Sequence, residues 1–214
     1  MHTHIRLLVL VAAAACGAAQ AQIQIQGQTF KAGLIRYDAH SKTNGVTGIG
    51  LPPGADAEVG DATTFLFTYE IGVMPNVGVE LVLGIPPKIK AKATGSVAFL
   101  GDIVTARIVA PTLLLNYHFG NAGDALRPYV GLGINYTKFV EVKSAYSFDV
   151  KIADSTGLAA QVGADYVLGK DWGLFGSLGW AQVKSKLVGT GAVVLQSTID
   201  FRPLTYSFGA SYRF

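Results

Sequence analysis

The chain closes on Leu204-Thr205-Tyr206-Ser207-Phe208-Gly209-Ala210-Ser211-Tyr212-Arg213-Phe214. The even positions Leu204, Tyr206, Phe208, Ala210, Tyr212 and Phe214 are apolar or aromatic, and the odd positions between them are small or polar. Successive side chains of a strand point to opposite faces, so this stretch predicts a strand with one greasy and one wet face. A sandwich strand in water shares that pattern. An aromatic last residue with no polar tail fits poorly in water and well at a membrane interface, where aromatic rings form belts. The expectation is a strand that closes a transmembrane barrel.

Seven earlier segments alternate in the same way, at about 30–37, 63–72, 77–86, 105–119, 128–139, 157–168 and 172–184, with the terminal one starting near 198. Each approaches the roughly ten residues that a tilted membrane strand needs. The connections sharpen the reading. Residues 73–76, 120–126 and 169–171 are short links, whereas the other four run to a dozen residues or more, and the two kinds alternate along the chain. Such alternation predicts an all-β, eight-stranded antiparallel up-and-down barrel in a bacterial outer membrane. Short turns and both termini then face the periplasm. A soluble barrel would put its apolar residues inside and charge outside, whereas here the aromatic face lacks charge.

Composition agrees. Of 214 residues, 50% are hydrophobic and 14% charged, with 26 glycines and a formal net charge of +3. Soluble domains carry about a quarter charged residues. Lys and Arg are scattered without a dense run, which argues against nucleic acid. Arg6, the apolar stretch from Leu7 to Cys16 and the Ala19-Gln20-Ala21 motif predict a signal peptide over 1–21 and a barrel over 22–214. Cys16 is the single cysteine, so the mature chain is expected to have no disulfide. A lipidated Cys16 is the competing reading. Beyond residue 21 no run of about 18 apolar residues exists, which leaves a barrel as the way to cross a membrane.

Several stretches resemble the OmpW family of outer-membrane proteins. They include Ala110-Pro111-Thr112-Leu113, Asn116-Tyr117-His118-Phe119-Gly120, the run from Arg127 to Thr137, Gln161-Val162-Gly163-Ala164-Asp165-Tyr166, Asp171-Trp172 and Ser211-Tyr212-Arg213-Phe214. The resemblance implies an eight-stranded outer-membrane barrel that passes small hydrophobic molecules. Residues 39–61 and 183–200 look least like the family.

Candidate sites follow from strand phase. Leu66, Glu80, Val82, Leu114, Asn116 and Phe175 fall on the inward face and are the predicted channel lining. An eight-stranded barrel is just wide enough to be filled or to hold one small ligand, so a general aqueous pore is not expected. Lys31, Glu70, Glu80, Asp165 and Arg213 lie near the base and are expected to pair with one another, because buried charges need partners. Pro86, Pro87 and Pro111 sit at similar heights on the third and fourth segments. Proline cannot donate to a ladder, and a closed barrel has no edge where the donor is dispensable. These prolines predict a lateral opening for apolar solutes; the other reading is a strand end at Pro86-Pro87 and a bulge at Pro111.

Catalysis finds little support. His118 is the one histidine expected inside, and Ser207, Ser211 and Asp165 are its conceivable partners without a diagnostic spacing. No catalytic residue, metal ligand or cofactor is assigned. The expected partners are outer-membrane lipid, small hydrophobic solutes and the barrel assembly machinery, which would read Phe214. The alternatives are a structural or adhesion barrel and a lipid-modifying barrel enzyme.

Overall fold

The computed structural model describes residues 27–39, 41–43, 45–48, 51–146, 149–190 and 194–214. The predicted signal peptide over 1–21 and the start of the predicted barrel segment, 22–26, lie outside these residues. In chain order the strands are β1 (Gln28–Asp38), β2 (Ser41–Thr43), β3 (Thr47–Gly48), β4 (Ala55–Val59), β5 (Ala62–Met74), β6 (Val77–Gly84), β7 (Lys88–Gly95) and β8 (Asp102–Val109). There follow β9 (Thr112–His118), β10 (Leu126–Ser144), β11 (Asp149–Ile152), β12 (Ser155–Val167), β13 (Trp172–Ala181), β14 (Val183–Thr190), β15 (Val194–Phe201) and β16 (Leu204–Arg213).

Eight of them close a barrel: β1 pairs with β5, then β6, β9, β10, β12, β13 and β16 follow, and β16 returns to β1. Every pairing is antiparallel, and the terminal stretch is held on both sides, with Gly33 opposite Gly209 and Leu178 opposite Tyr206. Closure leaves no free edge strand in the lower wall. The alternation behaves as predicted. Phe65, Leu81, Leu115, Leu132, Leu158 and Phe208 project outward and are exposed, while Lys31, Leu66, Glu80, Leu114, Asn116 and Phe175 project inward and are buried. At the base an aromatic row runs Trp172–Tyr212–Phe214, with ring centroids 5.0 Å apart at each step. The short turns and the first and last described residues share this lower end. Pro75-Asn76 makes one turn, with Asn76 at φ 64°, the left-handed position that asparagine tolerates after a proline.

The upper end differs from a set of loops. The long connections carry strands of their own. β4, β7 and β8 pair in succession and join the upper half of β10. β11, β14, β15 and β2 form a second sheet, with β3 on β15. Three of the eight predicted segments are therefore divided. The fourth breaks at Ala110-Pro111, the seventh at Gln182 and the eighth at Arg202-Pro203; the third stops at Gly84, before Pro86-Pro87. The prolines account for most of these breaks, since each removes a ladder donor. Gln182 has no such cause; its N–H reaches Leu158 O (2.8 Å) where the chain leaves the wall for the upper sheet.

Candidate functional site: an apolar track above a polar floor

The lower third of the barrel is filled by polar side chains. Lys31, from β1, is 1% exposed, and its Nζ lies 2.9 Å from Asp165 Oδ1 on β12 and 3.9 Å from Glu70 Oε2 on β5. The same ammonium sits 4.5 Å over the Tyr129 ring and 5.6 Å from that of Phe175. Asn116 donates through Nδ2 to Glu70 Oε2 (3.2 Å) and Glu80 Oε2 (2.8 Å), standing between two carboxylates. Gln161 Nε2 donates to Glu80 Oε2 (2.6 Å) and Asn116 Oδ1 (2.9 Å), and Thr68 Oγ1 donates to Glu80 Oε1 (2.6 Å). His118 Nε2 is 2.6 Å from Glu70 Oε1, within hydrogen-bond reach.

Glycines make the space. A Cβ on Gly78 would lie 2.0 Å from Glu70 Oε1, and one on Gly131 would lie 2.2 Å from Asn116 Oδ1. The inward glycines therefore set how tightly the floor packs. Arg213 departs from its expected pairing. It lines the lower mouth, but no ion pair joins it to the floor carboxylates among the described residues. Its side chain sits at the last ladder position, below Lys31, where water reaches it. The serines weighed as partners of His118 also make no hydrogen bond to it among the described residues; its neighbours are Glu70 and, at 3.7 Å from Nδ1, Asp165.

Above the floor the interior turns apolar. Ile35, Leu66 and Phe175 pack together, with Tyr37 and Val82 against them. Leu66, Glu80, Val82, Leu114 and Phe175 line one cavity of about 90 Å³, whereas Asn116 is fully buried in the floor beneath it. That cavity also reaches Leu83 and Gly84 on β6 and Ile108 and Ala110 beside β8, residues of the wall itself.

The wall is interrupted there. β6 pairs with β9 from Val77–Tyr117 up to Val82–Thr112, and β7 pairs with β8 only from Lys88–Arg107 upward. Between these points residues 83–87 face 108–111 without a ladder, apart from Ile108 N donating to Pro87 O (3.2 Å). At about 3.3 Å per residue the interruption is roughly 13 Å long. Backbone groups in a bilayer must find partners. Here side chains supply them: Thr64 Oγ1 donates to Ile85 O (2.8 Å), Arg107 to Pro86 O (3.1 Å) and Asn135 Nδ2 to Ala110 O (3.4 Å). The three prolines thus flank one stretch without a ladder, where Ile85 O, Pro86 O and Ala110 O each accept a side-chain hydrogen bond. Above it, Lys90 bonds Asp102 at 2.7 Å across β7 and β8 and holds that carboxyl below its usual range.

Over the gap the two small sheets enclose further apolar space. One chamber of about 140 Å³ is lined by residues such as Ala55, Ala93, Val104, Val150 and Leu187. A smaller space of about 40 Å³ lies between it and the inner cavity. The predicted channel lining omitted these residues because the connections were read as loops. A signal was present: Lys88-Ile89-Lys90-Ala91-Lys92-Ala93 and Val183-Lys184-Ser185-Lys186-Leu187 both alternate as strands do.

A closed antiparallel barrel with an apolar exterior, an aromatic lower rim and a polar floor inside is an outer-membrane β-barrel protein. Comparison with known proteins gives the family. Residues 26–214 match the OmpW family, and the chain belongs to it. It is 33% identical to Outer membrane protein W of Salmonella typhimurium over 164 residues, covering 73% of this chain and 76% of that protein. Among solved structures it is similar to the outer membrane protein OprG from Pseudomonas aeruginosa, with TM-score 0.83 and 27% identity over 88% of this chain and 95% of that one. It is also similar to the outer membrane protein AlkL in DMPC lipid bilayers, with TM-score 0.72 and 29% identity over 92% and 94%.

Proposed function

We propose that the protein is a passive conduit for small hydrophobic molecules, taking them from outside the cell and releasing them sideways into the outer membrane. One observation carries this reading. The inner apolar cavity meets the wall at the unpaired stretch between Pro86-Pro87 and Pro111, and the polar floor closes the way down. An apolar solute loses free energy on leaving water and regains nothing by crossing a layer of paired charges, so the lipid beside the gap is its downhill exit. The upper end, with its chambers, then faces outward, and the lower end with both termini faces the periplasm. Leu66, Val82, Leu114 and Phe175 are the inner lining, Glu80 and Asn116 belong to the floor, and Pro86, Pro87 and Pro111 hold the lateral opening apart. No residue performs chemistry and no cofactor is required. Phe214, exposed at the lower rim, is in this reading the residue that the barrel assembly machinery recognises.

The test is a Pro86→Val, Pro111→Val double variant, which returns ladder donors to both sides of the gap. Cells expressing it should take up octane at the empty-vector rate, while the folded barrel keeps the heat-shifted electrophoretic mobility of wild type. Uptake at the wild-type rate by a folded variant would overturn lateral release.

A further inference from the structure

The three apolar cavities stand in series, and two strands carry them on alternate residues. Along β8, Val104 lines the outer chamber and the narrow space, Ala106 the narrow space, Ile108 the narrow space and the inner cavity, and Ala110 just beyond it the inner cavity alone. Along β14 the order reverses: Val183 lines the inner cavity and the narrow space, Leu187 the narrow space and the outer chamber. At about 3.3 Å per residue the run from Val104 to Ala110 covers roughly 20 Å.

Their sizes differ. The outer chamber holds about 140 Å³, the narrow space about 40 Å³ and the inner cavity about 90 Å³. A dry apolar cavity of about 150 Å³ accommodates a benzene ring. The outer chamber is therefore large enough for one ring and the neck below it is not. The neck cannot swell freely, because interiors pack as densely as organic crystals. Ile89, Ala106 and Val183 in its wall are all less than a tenth exposed and are fixed in paired strands. Phe139 is the single aromatic side chain among the described residues that line it. It packs onto the Ala39–Val183 cluster with Val59. Just past it, β10 slips register between Val140 and Lys143, and Glu141 sits at φ 50°. Phe139 itself is still in regular register, opposite Ile108, and lines the neck just before this irregularity.

We propose that Phe139 is the specificity-determining residue of this conduit: it fixes the cross-section of the neck, so that slender apolar chains pass and fused-ring solutes are turned back above it. The inference rests on the conduit reading above and adds the class of solute selected. Phe139→Ala removes the obstructing ring, whereas Ala106→Phe adds one to the same neck.

The experiment measures uptake of octane and of phenanthrene by cells expressing wild type, Phe139→Ala, Phe139→Leu or Ala106→Phe, each normalised to empty vector and checked for folded, heat-shifted mobility. Wild type should raise octane uptake and leave phenanthrene at the vector level. Phe139→Ala should raise phenanthrene uptake by about tenfold, the scale on which an apolar site discriminates by size, with octane unchanged. Phe139→Leu should fall between, and Ala106→Phe should bring octane to the vector level. Equal relative rates for the two solutes in wild type, or vector-level phenanthrene uptake by folded Phe139→Ala, overturns the filter while leaving the conduit standing. Octane at the vector level in wild type overturns both.

Discussion

The lower and upper halves of this barrel solve one problem in opposite ways. Below, every wall strand pairs with both neighbours, and the interior is filled with polar side chains joined across strands: Lys31 ion-paired with Asp165 and Glu70, and Asn116 and Gln161 hydrogen-bonded to Glu80. Above, the wall opens for several residues between β6 and β9, and the interior holds apolar cavities. In the lower half polar groups are satisfied by closure. In the upper half they are satisfied one at a time, by Thr64, Arg107 and Asn135 reaching the carbonyls that closure would have used. A closed sheet can therefore give up part of its ladder in a membrane when side chains take over, and the sealed lower half keeps the barrel closed while the upper half is interrupted.

The comparison can be broken most severely from below. Lys31→Met removes the buried cation, strips Asp165 of its 2.9 Å ion pair and leaves Glu70 with only Asn116 and His118. It should lower stability by about 3–5 kcal/mol, the usual cost of breaking a buried pair, read as a fall in the urea midpoint of the barrel refolded in lipid vesicles. A shift under about 1 kcal/mol would mean that the floor is not an ionic lock. Gly131→Val tests the packing of the same layer. Its side chain would begin inside the contact radius of Asn116 Oδ1, so the cost should be about 1–3 kcal/mol, typical of overpacking. An unchanged midpoint would show that Asn116 moves aside freely. Asn135→Ala addresses the upper half. It removes the donor to Ala110 O and to Thr112 Oγ1, and should cost about 1 kcal/mol with amide exchange accelerated near Pro111 and unchanged at the floor. Exchange accelerated equally in both halves would mean that the two are one cooperative unit.

Much of the fold was legible because membrane strands declare themselves by period. Tyr206, Phe208 and Tyr212 against Ser207 and Ser211 placed the last strand's faces correctly, and the same phase put Leu66, Leu114 and Phe175 inside. The basal pairing of Lys31 with Glu70 and Asp165 was also legible, since an inward charge must find a partner. Arg213 was placed too deep, because phase gives the direction of a side chain and not its depth from the rim. His118 was visible as an inward histidine, but its partner Glu70 was not; the two lie far apart in sequence, and only the neighbouring of β5, β6 and β9 brings them together. Phe139 was counted within a strand segment without a role, because its effect depends on Ile89, Ala106 and Val183 from three other strands.

The sequence by itself determined the barrel: alternation sets which face meets lipid, short and long links set the up-and-down order, and prolines set where a ladder must stop. Those are local properties, fixed by side-chain period and by the missing N–H of proline. The tertiary structure alone decided that Pro86-Pro87 and Pro111 flank one stretch without a ladder, that the long links rise as paired strands over it, and that three apolar cavities share lining residues along β8 and β14. Cross-strand register and enclosed volume are sums over residues distant in the chain. The terminal strand and its neighbours specify the container, and the register of the other strands specifies the path inside it.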